Sequence, residues 1–372
     1  MTATSLFVSG FNAFGQLSSE STKDLCEPQK FAALQDIGDS ENLELLFSGW
    51  SETTIYRPGR TSRGNGQIIR HGNTNITLNS PLPDLCSGFG DHNGLLGVLS
   101  RKECIAFAEE SQVEVHTALE DSLSDDETPS ISHLVVAGNG HVVAISKSAG
   151  SPDSILEFTS FDNFRQWFDD EANAYHEPPA SHVVPGLVVQ LDANVTGFVC
   201  LTEDGNIYTW GDARHSSLGR SVSETEARSP GLVESLAGIK IKKISTDGWI
   251  TAALSEDGAA YLIGTATPGT QHSISCLREL DPLQAALVEI KEGDEELDIL
   301  DVAVGDGHVL LLTQGGRIFA AGDNRNGQLG LGQKASSFVQ DWSEVKVPGQ
   351  GRCVAVYAGP KSSFFRLEMP LT

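Results

Sequence analysis

The residues in this chain that could do chemistry are its ten histidines, six cysteines and fifty carboxylates, so the first question is whether any of them stand at working spacings. Cys26, Cys86, Cys104, Cys200, Cys276 and Cys353 are scattered and form no C-x-x-C pair, and no H-E-x-x-H occurs. No metal-ligand spacing results. Paired carboxylates such as Asp125-Asp126 lie in polar stretches, where a solvated charge is expected. Two glycine-rich segments, residues 88–94 (GFGDHNG) and 322–332 (GDNRNGQLGLG), suggest a phosphate cradle. The first has the wrong spacing for a dinucleotide fingerprint and no strand–turn–helix context, and there is neither a Walker A motif nor a G-x-S-x-G elbow. The residue types therefore predict no cofactor, no metal and no catalytic set, which makes the chain a non-enzyme.

The second glycine segment belongs to a repeated grammar of elements. An apolar run, Val302–Thr313, contains a Gly-His start at His308. A Gln314-Gly315-Gly316 turn and a second run, Arg317–Ala321, follow, and then Asn324-x-x-Gly327-Gln328-Leu329-Gly330. Two apolar runs around Gly-Gly read as a β-hairpin, because Gly supplies the positive φ of a tight turn. The hairpin returns at 248–264 and 197–211 with Glu-Asp-Gly turns, and the second of these leads into a degraded loop, DARHSSLG, at 212–219. Worn copies stand at 140–146 (with His141), 94–108 and 49–56, and a lone strand at 359–367. The residues ending these strands recur about every 52 positions, and a period of that size signals one propeller blade per repeat.

The last unit stops after one strand. The missing partner is at the other end of the chain, where Leu6–Gly10 matches Arg317–Gly322 and Asn12–Leu17 matches Asn324–Leu329 column for column. The expectation is a single all-β domain over 1–372, a seven-bladed β-propeller in which residues 1–17 complete the last blade with 353–367. Residues 120–130 (EDSLSDDETPS) read as an acidic mobile loop. Residues 160–173 carry Phe161, Phe164 and Phe168 at helical spacing and predict a short inserted helix. Trp50, Trp210 and Trp249 fall in repeat columns and are expected in the core, as are His141 and His308.

Lys and Arg number 25 against 50 Asp and Glu, a formal charge of −25. Such a surface repels phosphate backbones, so direct nucleic-acid binding is not expected and partners should be proteins. The amino terminus has no signal-peptide pattern and no apolar run reaches membrane-spanning length, so the chain reads as intracellular, cytoplasmic or nuclear, and without a membrane. The free-thiol usage agrees with a reducing compartment. One loop, residues 57–66 (RPGRTSRGNG), is locally basic through Arg57, Arg60 and Arg63.

The Gly-His start, the hairpin and residues 322–330 resemble the regulator-of-chromosome-condensation repeat. The resemblance implies a monomeric seven-bladed propeller closed by exchange of terminal strands. It implies either a scaffold for protein partners or guanine-nucleotide exchange on a small GTPase of the Ran type. Short single-propeller members with degenerate first blades are similar in overall plan. They suggest a histone demethylase or a tRNA/diphthamide-modification factor as partner. The acidic composition and the absence of a basic amino-terminal tail depart from the chromatin exchange factor.

Within the repeated turn, fixed positions alternate with variable ones. Phe14, His215 and Asn326 share one column, and Ala13, Arg214 and Arg325 share the next. Aromatics and arginines are the residue types that anchor interfaces, so Phe14, Arg214, His215, Arg325 and Asn326 are the candidate partner-binding residues.

Overall fold

The computed structural model describes residues 3–31, 43–59, 66–80, 85–91, 93–100, 105–108, 113–116, 130–147, 153–169, 179–278, 281 and 283–369. Among these, the strands form seven four-stranded antiparallel sheets and one two-stranded hairpin. Six sheets are continuous in sequence, in blades one to six over residues 44–79, 85–116, 130–182, 188–232, 241–288 and 299–345. The seventh is assembled from both ends of the chain, in the spatial order Leu25–Lys30, Ala3–Gly10, Ser362–Met369, Arg352–Gly359. The first strands of neighbouring blades pack on one another around the ring. The protein is a seven-bladed β-propeller.

The run 302–313 is two strands. Ile299–Gly305 ends at a tight turn through Asp306 and Gly307, and His308–Thr313 starts the hairpin. The first strands each carry a β-bulge at the same place, near their start. The skip falls between Val188 and Gln190, Ile241 and Lys243, and Ile299 and Asp301, and the other four blades repeat it. A bulge breaks the period-two alternation by which a strand is recognised.

The second strand of blade six is apolar over Val309–Leu312 because both of its faces are covered. In blade six, Val309 and Leu311 pack with Ile250, Leu254 and Leu262 of blade five. Leu310 and Leu312 point the other way, to Phe7, Val356 and Phe365 of blade seven. The helix covers Phe161–Asp169, with Phe164 fully buried against Phe107 and Phe158. Residues 170–173, the acidic loop up to residue 129, and Arg60 and Arg63 lie outside the described residues, while Ser130 already begins a strand. No described helix is long and apolar enough to cross a membrane. Cys26, Cys200, Cys276 and Cys353 are free thiols, and burial pushes Cys200 and Cys353 up to about 12.

Closure depends on Gly10. It pairs with Ser362, its φ is +123°, and a Cβ there would stand 2.3 Å from the carbonyl oxygen of Lys361. Gly140 has a φ of +87° with nothing within 4 Å, so it isolates the backbone component. Gly140→Ala should cost about 1 kcal/mol, and Gly10→Ala at least about 2–3 kcal/mol, because the strain adds to a clash at the seam. Urea unfolding of both variants checks the difference.

Candidate protein-docking face

In every blade, the turns between first and second strands and the loops between third and fourth strands emerge on the same face, because the strands are antiparallel. The Asn-x-x-Gly-Gln loop is held there by its own amides. The Asn12 side-chain oxygen accepts from the amides of Leu17 (2.8 Å) and Ser18 (3.1 Å), and its nitrogen donates to the carbonyls of Ser18 (3.2 Å) and Ser21 (2.6 Å). Gln16 accepts from Phe14 N (3.0 Å) and donates to the carbonyls of Phe11 and Trp50, both at 2.9 Å, the latter in the next blade. Asn324 and Gln328 repeat the pattern, with Leu329 N on Asn324 at 3.0 Å and Asn326 N on Gln328 at 2.9 Å. Gly15 and Gly327 have φ of 74° and 75°, the left-handed conformation that this turn requires.

The degraded copy solves the same problem with other groups. Ser216 takes the left-handed position at φ 59°, and His215 does the same. The connection beyond is organised by Arg220, a buried guanidinium that spreads its donors over the carbonyls of Thr209, Ser221, Thr225, Glu226 and Ser229. Five N–H groups meet five acceptors.

The five candidate residues therefore share one face, with different surroundings. Phe14 is 45% exposed and packs edge-on against Phe11, with ring centroids 6.1 Å apart. Arg214 lies over Trp249 at 5.7 Å, and His215 meets the same ring edge-on at 4.8 Å. Arg325 grips Asp323 through two bonds of 2.8 and 2.9 Å. Asn326 is tied down, because its side chain donates to Asp24 at 2.8 Å and so bridges blades six and seven.

Two of the tryptophans expected in the core are part of this surface. Trp210 is buried, but Trp50 is 42% exposed and Trp249 is half-buried. Both sit in the turn between first and second strands, where the tip of a two- or three-residue connection has no layer above it. Trp50 packs on Phe11 (6.2 Å), and Lys361 Nζ lies over its ring at 5.9 Å. His141 also departs from expectation. His308 is fully buried, whereas the His141 side chain is 40% exposed and bonds Glu157 at 3.2 Å. The Gly-Trp dipeptides at 49–50 and 248–249 were the signal for these tips, since a glycine before a bulky residue marks a turn.

Behind the tips lies a charged layer. Lys361 is nearly buried and places its three protons on the Asp306 carbonyl (3.0 Å), the Asp306 carboxylate (2.8 Å) and Asp323 (3.1 Å). Burial pushes the Asp323 carboxyl up, but Arg325 and Lys361 outweigh it and hold it below its ordinary value. Asp247 is raised to about 7 by burial and by the nearby Asp306 carboxylate, and Asp192 is raised to about 6 chiefly by burial. Burial lowers His308 to about 4, helped by Lys361. Between blades five and six a cleft of about 510 Å³ is lined by Trp249, Thr270, His272, Asp306, Arg325 and Lys361, among others.

This architecture defines a class: a closed repeat propeller that presents aromatic and arginine tips from a rigid face. Residues 204–254 and 299–328 match the family model described as the Regulator of chromosome condensation (RCC1) repeat. Two stretches of this propeller thus carry repeats of the regulator-of-chromosome-condensation type. It is 31% identical over 153 residues to the human Regulator of chromosome condensation, covering 41% of this chain and 35% of that protein. A mouse protein, RCC1 domain-containing protein 1, is 36% identical over 90 residues, 24% of each chain. The matched part thus spans about a third of the human regulator, and only 14% of another relative, the human probable E3 ubiquitin-protein ligase HERC6. Among solved structures, yeast RCC1 (Prp20) bound to Kap60 superposes with a TM-score of 0.68 at 14% identity, covering 100% of this chain and 90% of that one. That likeness is one of fold.

Two measurements follow from this geometry. Asn12→Ala should lower unfolding free energy by roughly 2–4 kcal/mol, since it strands buried backbone groups, whereas Phe14→Ala at the tip should stay within about 0.5 kcal/mol. Chemical denaturation separates the two. Asp247 binds its proton more tightly folded than unfolded, so it contributes stability at low pH that is lost as pH rises through about 7. Asp247→Asn removes that loss, so its melting temperature relative to the parent should climb between pH 4.5 and pH 8. His308 acts oppositely, with stability lost as pH falls from about 6.5 toward about 4, and it is common to both proteins in this comparison.

Proposed function

We propose that the chain is a non-enzymatic scaffold that docks a protein partner on the face carrying Phe14, Trp50, Trp249, Arg214 and Arg325. The observation that carries this reading is the cluster of Phe11, Phe14 and Trp50, in which two large rings remain 45% and 42% exposed although their backbones are held by buried amides. Rigid aromatic side chains on a preorganised loop lose little freedom on binding, which is what interface anchors require. The relatives support a protein as the partner. Yeast Prp20 is known bound to Kap60, and Prp20p from Saccharomyces cerevisiae is described for its binding to Gsp1p and histones. The setting that fits this chain is chromatin or other nuclear regulation, or tRNA and diphthamide modification, inside the cell.

Guanine-nucleotide exchange on a small GTPase of the Ran type is the second reading, favoured by the 31% identity with the human regulator. Nucleotide release from purified Ran that stays at its intrinsic rate with the protein added would exclude it. For the scaffold reading, affinity purification from native extract followed by mass spectrometry should recover a stoichiometric protein with the parent chain. Phe14→Ala/Trp50→Ala should lose at least about 90% of it, a drop of tenfold corresponding to about 1.4 kcal/mol, at an unchanged melting temperature. Recovery that the double variant leaves intact sinks this face as the docking site.

A further inference from the structure

Arg214 and Arg325 stand in one repeat column, and the fold treats them alike. Each guanidinium is gripped from below by the aspartate two positions earlier. Nε and Nη2 of Arg325 reach the two oxygens of Asp323 at 2.8 and 2.9 Å, and Nε and Nη2 of Arg214 reach Oδ2 of Asp212 at 2.8 and 2.6 Å. The grip uses one edge of each planar group, so the other edge, Nη1, points away from the carboxylate. The side chains remain 66% and 69% exposed, while the Asp323 carboxylate beneath is 2% exposed. Trp249 lies under Arg214 and shares a cleft of about 510 Å³ with Arg325.

We propose that the arc Arg214–Trp249–Arg325 receives a carboxylate-bearing segment of a protein partner, an assignment that rests on the docking-face reading above. A guanidinium already held in place loses little rotamer freedom when it pairs again, and its fork matches a carboxylate through two parallel bonds. The indole offers a floor for the methylene stem of an incoming glutamate. The arc's own acids are committed, Asp212 to Arg214, Asp323 to Arg325 and Lys361, and Asp306 to Lys361. What faces a partner is therefore donor edges, which suits an acidic segment and not a basic one. The net charge of −25 opposes an acidic partner at long range. That repulsion is screened beyond about 10 Å at 0.1 M salt, so selection happens at contact distance.

The test uses a short fluorescein-labelled peptide of alternating glutamate and leucine, with lysine-for-glutamate and glutamine-for-glutamate counterparts, read by anisotropy at about 0.1 M salt. The glutamate peptide should bind saturably and better than either counterpart. Arg214→Gln/Arg325→Gln should weaken it at least about tenfold, and Arg214→Lys/Arg325→Lys, which keeps the charge but not the fork, should restore only part. If the double variant melts early, Arg214→Gln alone gives the same readout, because Asp212 is part-exposed where Asp323 is buried. No saturable binding of the glutamate peptide, equal binding by the glutamine variants, or a preference for the lysine peptide overturns the assignment. A partner lost on Phe14→Ala/Trp50→Ala but retained by the arginine variants leaves the docking face standing and refutes only its charge preference.

Discussion

The ring depends on one pairing, that of the strand Ala3–Gly10 with Ser362–Met369. Without it blade seven is a two-strand fragment with an open edge, and an open edge is a template for pairing with other chains. The closing strand also packs to both sides. Phe7 joins the cluster of Leu310 and Leu312 from blade six, and Val8 joins that of Ile55 and Leu43 from blade one. A single strand thus seats two blade interfaces. Loop-closure entropy grows only with the logarithm of chain length, so a pairing between the two ends of so long a chain is affordable once the intervening blades are formed.

Blades meet through apolar faces, which carry no direction. Direction comes from polar side chains on the bulged first strands. Gln190 bonds both backbone groups of Ile244 in the next blade, Asp192 accepts from Thr246 N, Ser245 from Val304 N and Asp301 from Val356 N. Each bond joins one first strand to its neighbour at an equivalent level, so the blades cannot slide along one another without stranding buried amides. On the face above, the Asn and Gln amides of the repeated turn do the same for the loops. The exposed rings and guanidiniums are therefore mounted on a frame with few soft joints.

Much of this was legible from residue order, and the exceptions have identifiable physical causes. The hairpins, their period and the Asn-x-x-Gly-Gln turn show because glycine, asparagine and apolar runs have narrow conformational uses. The first strands were hidden by their shared bulge, which breaks the alternation at the start of Ile299–Gly305. Trp50 and Trp249 looked like core residues because large rings usually are, and only the short turns that carry them lift them out. Asn326 looked like a free tip until Asp24, from the other end of the chain, was seen to hold it.

Sequence alone determined the all-β class, the repeat, the number of blades and the columns from which the tips would come, because each follows from local spacing and backbone preference. Only the tertiary structure decided which tips are exposed and which are tethered. It also decided that Lys361 and Arg220 are structural cations with their donors filled, and that Trp249, which lies under Arg214, shares a cleft with Arg325. These facts depend on residues tens to hundreds of positions apart being brought within a few ångströms when the ring closes, a relation that no local pattern encodes.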